Sequence, residues 1–576
     1  MQKRLSGLGF IAGVIVFVAA CGDQTAAPKP TLSDTGLNAE PTESLYFYTG
    51  GTIYTGNGLE TVDGVVVGSE GRIVAVGSLE QVVEDIPTLD QDGEIIPSLM
   101  QTFDLDGGFM YPGFVDGHAH LLGIGQREQT LNLEGTASIG ELVTRIEAEV
   151  WGLPEGQVLF GRGWIETGWP EGRMPTAADL DQVSPDNPVI LVRADGHALV
   201  ANSAALVAAG VMDDTADVEG GKIERDPDGK ATGILIDNAM GQVFSLVSAP
   251  SEAQIIKGYL VGAAEYVSRG WTGVHNMSVD PAHAALMEGL DQDRRLPLRI
   301  HNAFDESGME LAASRKHETD TITNRSVKLY MDGALGSRGA LLIEPYSDRP
   351  DTSGLSLLEP ERLETLMQEA DRLNVQLAIH AIGDLANRRI LDVMKAGDYG
   401  PEDRWRIEHT QVLHPDDIAR VSALGLIASM QPSHAIGDLK FAPDRLGQAR
   451  LAGAYAWQSL LDAGAIIVGS SDAPVENGSP LIEFYAAVAR KDLEGFSTGD
   501  WSPEEALTRQ QALSLFTAAP AYAAFMEDDL GTIEVGKLAD FTVFDRDLMV
   551  VPEAEILEAK TVMTIVHGEI VFSARN

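Results

Sequence analysis

The sequence predicts an α/β protein built on an eight-fold β/α barrel, and three observations predict it. The middle of the chain, about 107 to 527, alternates apolar strand-like runs with helical patterns. Several of those runs end in a ligand-capable side chain, as functional residues do at the C-terminal ends of barrel strands. Both ends of the chain are β-rich instead. The 576 residues, 44% of them hydrophobic, suffice for a barrel and an accessory domain. The 60 glycines and 27 prolines follow no fixed period, which excludes a solenoid or propeller.

In chain order, Met1 to Ala20 reads as an export signal. Lys3 and Arg4 form its basic end, and the apolar run Leu8 to Ala20 is too short to span a bilayer comfortably. Val18-Ala19-Ala20-Cys21 resembles the lipobox at which bacterial lipoproteins are cleaved and acylated on cysteine. That resemblance implies lipidation at Cys21, a membrane anchor, and a place in the bacterial cell envelope. The alternative is an ordinary signal peptide (1–21) that happens to end near the only cysteine. Residues 22 to 43, rich in Pro, Thr, Ala, Ser and Asp, read as a disordered tether. Gly22 directly after Cys21 is no inner-membrane retention signal, so the expected site is the outer membrane, facing the periplasm.

From 44 to 106 short β-rich runs such as Val65-Val66-Val67 and Ile73 to Val76 are broken by glycine and read as hairpins. The last stretch, 528–576, behaves likewise, with Phe541 to Phe544 and Val562 to Val566. A middle near 420 residues exceeds a typical barrel, which places an insertion near 155–245.

The net charge of −45 argues against nucleic acid and against an anionic membrane surface as partners. A solvated acidic surface accounts for it.

The sharpest local motif is Tyr111-Pro112-Gly113-Phe114-Val115-Asp116-Gly117-His118-Ala119-His120. Alternate strand residues face one side, so His118 and His120 can reach one ion from a strand end; two histidines in a polar loop are the other reading. Later apolar runs end in Lys328, His380, His409 and Asp472. For Lys328, a buried ion pair with Asp332 is the alternative, and for Asp472 a helix cap.

The runs Pro112 to His120, Val327 to Gly333, His380 to Ala386, Arg406 to His414, Gln431 to His434 and Gly469 to Pro474 together resemble the amidohydrolase superfamily, and within it the YtcJ-like and N-substituted formamide deformylase branch. Gly531 to Asp540 resembles the segment by which such chains leave a TIM barrel and re-enter a small β-sandwich made from both termini. The resemblance implies one or two divalent metals held by His118, His120, His380, His409 and Asp472, with Lys328 carboxylated as a bridge. Imidazole and carboxylate suit zinc, with manganese, iron or nickel as alternatives.

It further implies hydrolysis of a non-peptide amide-type C–N bond in a small-molecule substrate by metal-activated hydroxide, with Asp472 as the catalytic proton carrier. His197, in Arg193-Ala194-Asp195-Gly196-His197, matches a segment that faces the substrate in the family; a structural hydrogen-bonding role is the other reading. Trp164, with Trp169, Arg162 and Arg173, can shape a pocket for an N-substituent or serve structure. His414 and His434 are candidates for support behind the ligands, and a homodimer is the expected assembly. Esters or lactones, an isomerase or decarboxylase reaction on the same metals, a lipid-anchored solute-binding protein and a catalytically silent scaffold are the rival functions.

Overall fold

The computed structural model describes residues 45–78, 80–82, 100–247, 250–316, 318–397, 399–498 and 501–575. The expected signal, Cys21 and the tether lie outside the described residues, as does His317. Among the described residues no helix is long and apolar enough to cross a membrane.

Eight parallel strands form the centre, each paired with the next in chain order: Phe114–Ala119, Trp271–Val279, Arg299–Phe304, Ile322–Tyr330, Gln376–Ala381, Arg406–His409, Ile427–Met430 and Ile466–Gly469. They are buried along almost their whole length, as strands covered on both faces must be, and this is why they read as unbroken apolar runs. The ring closes just past the strand ends, where the Asp472 N–H donates to His118 O and the His120 N–H to Ala473 O, both at 2.8 Å. Asp116 seals the same seam, accepting from the Ser471 N–H at 3.0 Å, the Ser471 hydroxyl at 2.5 Å and the Tyr266 hydroxyl at 2.9 Å. Gly117 has to be glycine here, because a Cβ would stand 2.2 Å from Val468 Cγ1 and 2.8 Å from Gly469 O. The expected TIM barrel is present.

The helices that cover it carry their own start and stop signals. Ser251 and Gln254 form a capping box at the start of Glu252–Arg269, and Gly270 ends that helix in the left-handed region at φ 108°.

Between the first and second barrel strands the chain makes a separate six-stranded sheet. Its spatial order is Gly221–Arg225, Ala231–Asp237, Ala198–Ala201, Val189–Arg193, Leu159–Trp164, Leu131–Asn132. The sequence set this insertion near 155–245; the sheet runs from Leu131 to Asp237. It has apolar cores of its own, one around Ile190, Leu199 and Leu235, another around Leu142, Trp164 and Leu180.

The two chain ends combine in a third sheet, in the order Glu569–Ser573, Thr561–Val566, Phe541–Phe544, Phe109–Pro112, Leu45–Tyr54, Thr61–Val67, Ile73–Gly77. Its strands are joined by hydrogen bonds from one end to the other, as the expected joining of both chain ends requires. Leu45–Tyr54 shifts register between Thr49 and Ile53 in its pairing with Thr61–Val67. Its first half pairs with Met100–Asp104 and its second with Phe109 and Met110.

Candidate metal centre

His118 lies on the first barrel strand and His120 caps the helix Leu121–Arg127 that follows it. Lys328 sits near the end of the fourth strand, His380 near the end of the fifth, and His409 ends the sixth. Asp472 follows the eighth strand. All of them line one cavity, because parallel strands put their C-terminal ends at the same mouth. His409 and Asp472 hold left-handed backbones at φ 75° and 56°, a strain of roughly 1–3 kcal/mol each for non-glycine residues.

Asp472 is the hub. Its Oδ1 lies 3.3 Å from the Nε2 of both His118 and His120, and its Oδ2 lies 3.9 Å from His434 Nε2. The ligand atoms of His118, His120 and Asp472 are within 4.8 Å of one another, and so are those of His409, His434 and Asp472. His380 joins through ring contact, 4.5 Å from His409 between centroids. Burial opposes the Asp472 charge, but His118 and His120 hold its carboxyl well below the usual carboxylate range.

The outer nitrogens of the histidines are fixed from behind. His118 Nδ1 is 2.6 Å from Glu408 Oε2, His120 Nδ1 is 3.2 Å from Met277 O, and His409 Nδ1 is 2.8 Å from Gln431 Oε1. This leaves the Nε2 atoms of those rings for the cavity. The buried atoms Asp472 Oδ1, His380 Nε2 and His434 Nε2 have no hydrogen-bond partner among the described residues. Buried polar atoms are rarely left so, and a set of imidazole nitrogens around a carboxylate is the donor set a divalent cation accepts. The residues fit a metal.

Lys328 Nζ stands 3.2 Å from His118 Nε2 and is buried. The alternative pairing with Asp332 does not form. Asp332 is spent on the backbone N–H groups of Leu341, Ile382 and Gly383, at 2.8, 3.0 and 2.8 Å, and lies 3.5 Å from His380 Nε2. Burial pushes the Lys328 ammonium down to about 8, against the pull of Glu408 and Asp472.

The inserted sheet reaches into the site with His197. Its Nδ1 is 2.6 Å from Asp237 Oδ1 and its ring is 5.1 Å from that of His380. Burial works against the imidazolium, but the Asp237 hydrogen bond and charge outweigh it and raise the pKa to about 9. Trp164 is not brought to the site. It is fully buried in the inserted sheet's core, and its indole N–H donates to Leu191 O at 2.8 Å. Trp169 is placed similarly, with its N–H on Thr136 O at 2.6 Å, and Arg173 pairs with Asp179 at 2.7 Å. His414 caps Pro415–Ala423, and His275 lies below the site, 2.7 Å from Arg406 Nη1.

His434, read from the sequence only as possible support, is brought among the donors, its Nε2 3.9 Å from Asp472 Oδ2. Glu408, Asp237 and Glu476 were not singled out. Glu408 and His409 are neighbours in Arg406-Ile407-Glu408-His409, where strand alternation predicts opposite faces; the left-handed backbone of His409, φ 75°, breaks the alternation, and both reach His118. Asp237 sits in the insertion, where no motif points. Glu476 Oε1 is 3.7 Å from His434 Nε2, and burial raises its pKa to about 7.

The open space forms two lobes, of about 480 and 420 Å3, that share His197, His380, His409 and Asp472. One is walled by Tyr259, Ser278 and Arg162, the other by Phe441, Glu476 and Leu493. A small molecule of drug-like size fits such a space.

The profile of the amidohydrolase family matches residues 101–572. The putative amidohydrolase YtcJ of Bacillus subtilis (strain 168) is 31% identical over 539 residues, covering 91% of this chain and 98% of that protein. The N-substituted formamide deformylase of Arthrobacter pascens is 28% identical over 523 residues, covering 87% and 94%. The crystal structure of an uncharacterized metal-dependent hydrolase from Pyrococcus horikoshii OT3 superposes with a TM-score of 0.71 at 28% identity, covering 88% of this chain and 99% of that one. The chain therefore belongs to the amidohydrolase family, a metal-dependent hydrolase of carbon–nitrogen bonds.

Proposed function

We propose that this site hydrolyses the amide-type bond of an N-acyl or N-formyl compound, with His118, His120, His380, His409 and Asp472 as metal ligands and Lys328 carboxylated as a further one. The observation that carries the reading is the convergence of His118 and His120 on Asp472 Oδ1, each at 3.3 Å, with that oxygen and the His380 and His434 Nε2 atoms left without hydrogen bonds. His434 joins the set as a seventh donor side chain or as a hydrogen-bond donor to substrate. Zinc suits these ligands, and manganese, iron and nickel are the alternatives.

A divalent cation there supplies Lewis-acid polarisation of the scissile carbonyl and makes water easier to deprotonate near neutral pH. The protein's own groups do the rest. The Asp472 carboxylate accepts the proton of the attacking water and returns it to the leaving nitrogen. His197, braced by Asp237, donates to the carbonyl oxygen as charge develops on it. A buried amine of lowered pKa, as Lys328 is, holds the neutral fraction that reacts with carbon dioxide.

Export and acylation at Cys21 would tether the enzyme to the bacterial outer membrane, facing the periplasm, and a homodimer is its proposed assembly. Globomycin-sensitive processing of the full chain and labelling with a fatty-acid analogue test the anchor; a Cys21→Ala chain that remains labelled would refute it.

The test of the activity is elemental analysis followed by turnover. Residues 22–576, reconstituted with metal and bicarbonate, are expected to retain one or two equivalents of transition metal and to release amine from N-formyl and N-acyl amines. A chain that binds none removes the reading in favour of a silent scaffold.

A further inference from the structure

Arg162 projects from the inserted strand Leu159–Trp164 into the lobe that holds His118, His120 and Asp472. It makes no side-chain hydrogen bond or ion pair with the described residues, and its Nε is shut off from solvent without a partner. The carboxylates that stand around it are committed elsewhere. Glu134 lies 3.3 Å from Arg127 Nη1, and Asp195 is bound by Arg193. Arg127 and Arg193 are each paired with two acidic residues, whereas Arg162 has none.

Arg162 is part-buried in the cavity wall, and an unpaired cation there loses part of its hydration with no partner in the fold to offset it. Burial, and after it Arg127, lowers its pKa to about 10, so it stays charged at neutral pH. Gly123 stands beside it: a Cβ there would lie 3.4 Å from Arg162 Nη1 and 3.2 Å from Pro474 Cδ. The guanidinium and the loop that carries Asp472 thus both border Gly123, and all three line the same cavity.

We propose that Arg162 receives a carboxylate of the substrate, and that the preferred substrates are amides bearing an acid group a few bonds from the scissile C–N bond, as in N-acyl or N-formyl amino acids. This rests on the amide-hydrolase reading above. A guanidinium presents two parallel N–H donors that match a planar carboxylate. The acidic surroundings, Glu134, Asp195 and Asp472, favour a monoanion over a phosphate dianion.

Two measurements on the metal-loaded protein test it. The first compares kcat/KM for N-formyl-leucine and for N-formyl-3-methylbutylamine, which lacks only the carboxylate. The second compares the affinities of 4-methylpentanoate and 4-methylpentanamide by calorimetry. Both ratios are expected to favour the acid by roughly ten- to a hundredfold. Both are expected to collapse in Arg162→Met and to fall in between in Arg162→Lys, each variant being checked for an unaltered melting transition. Equal treatment of acid and neutral compound overturns the proposal, and so does a preference that survives in Arg162→Met, which would assign the carboxylate to the metal. If neither formamide is hydrolysed, the amide-hydrolase reading fails, while the affinity ratio still decides the role of Arg162.

Discussion

Glu408 Oε2 lies 2.6 Å from His118 Nδ1, and its other oxygen lies 2.7 Å from Arg406 Nε, so one buried carboxylate links a barrel-interior arginine to a residue of the donor set. The contact fixes which way the His118 ring faces and keeps its Nε2 toward Asp472. Glu408→Gln keeps the shape and removes the charge. Metal affinity, read by competition with a chelator, is expected to fall about 10- to 100-fold, the usual cost of losing such a partner. An unchanged affinity would show that His118 is held by packing alone.

Asp472→Asn retains one oxygen and the fold but cannot carry a proton. Turnover is expected to vanish while the melting transition and most of the bound metal remain. Residual activity within about tenfold of wild type would remove Asp472 from the proton path.

Lys328→Ala opens a space beside His118 Nε2, 3.2 Å from the lost amine. Metal content is expected to drop, and to recover when a small carboxylate is supplied in solution. Full metal content without rescue, or an intact-protein mass lacking the carbamate in the wild type, argues for a plain ammonium.

His301 is tied to Thr323, Ser326 and Gln376 at 2.6, 2.9 and 3.2 Å, and burial, then Arg406, lowers its pKa to about 3. An unfolded histidine titrates near 6.5, so below that pH the unfolded chain takes up a proton that the fold refuses. Stability from this group is complete above about pH 6.5 and is lost as pH falls toward 3, by about 3 kcal/mol at pH 4. Denaturant melts of His301→Gln should show a shallower decline between those values than wild type. Parallel declines would contradict the neutral state.

Trp164→Phe is expected to lower the melting temperature by a few degrees, through loss of the hydrogen bond to Leu191 O and of indole packing. KM should not move. A changed KM with unchanged stability would restore Trp164 to the substrate pocket.

The barrel was legible because its strands are buried on both faces and end in polar residues, a pattern that local sequence carries directly. His118, Lys328, His380, His409 and Asp472 could be read for the same reason, each lying within three residues of a strand end. The insertion hid more. Trp164 and Arg162 are two residues apart on one strand, yet the first packs into a core and the second faces the cavity. No periodicity distinguishes them, since side-chain alternation gives both the same face until the strand twists: register shifts between Arg162 and Trp164 in the pairing with Val189–Arg193. Asp237 and Glu476 act through contacts with residues far off in the chain, which a single sequence does not display.

Asp116 and Ser471, which join the first strand to the loop after the last, are 355 residues apart in the chain. Phe541–Phe544, from the far end, pairs with Phe109–Pro112, the strand that leads into the first barrel strand. During synthesis, His118 and His120 therefore emerge long before Asp472, and the sheet that feeds them is complete only when the last strands have left the ribosome. A chain that stops short of residue 472 carries the histidines of the donor set without the carboxylate they converge on. The binding site comes into being with the finished molecule, so metal loading reports on completed folding.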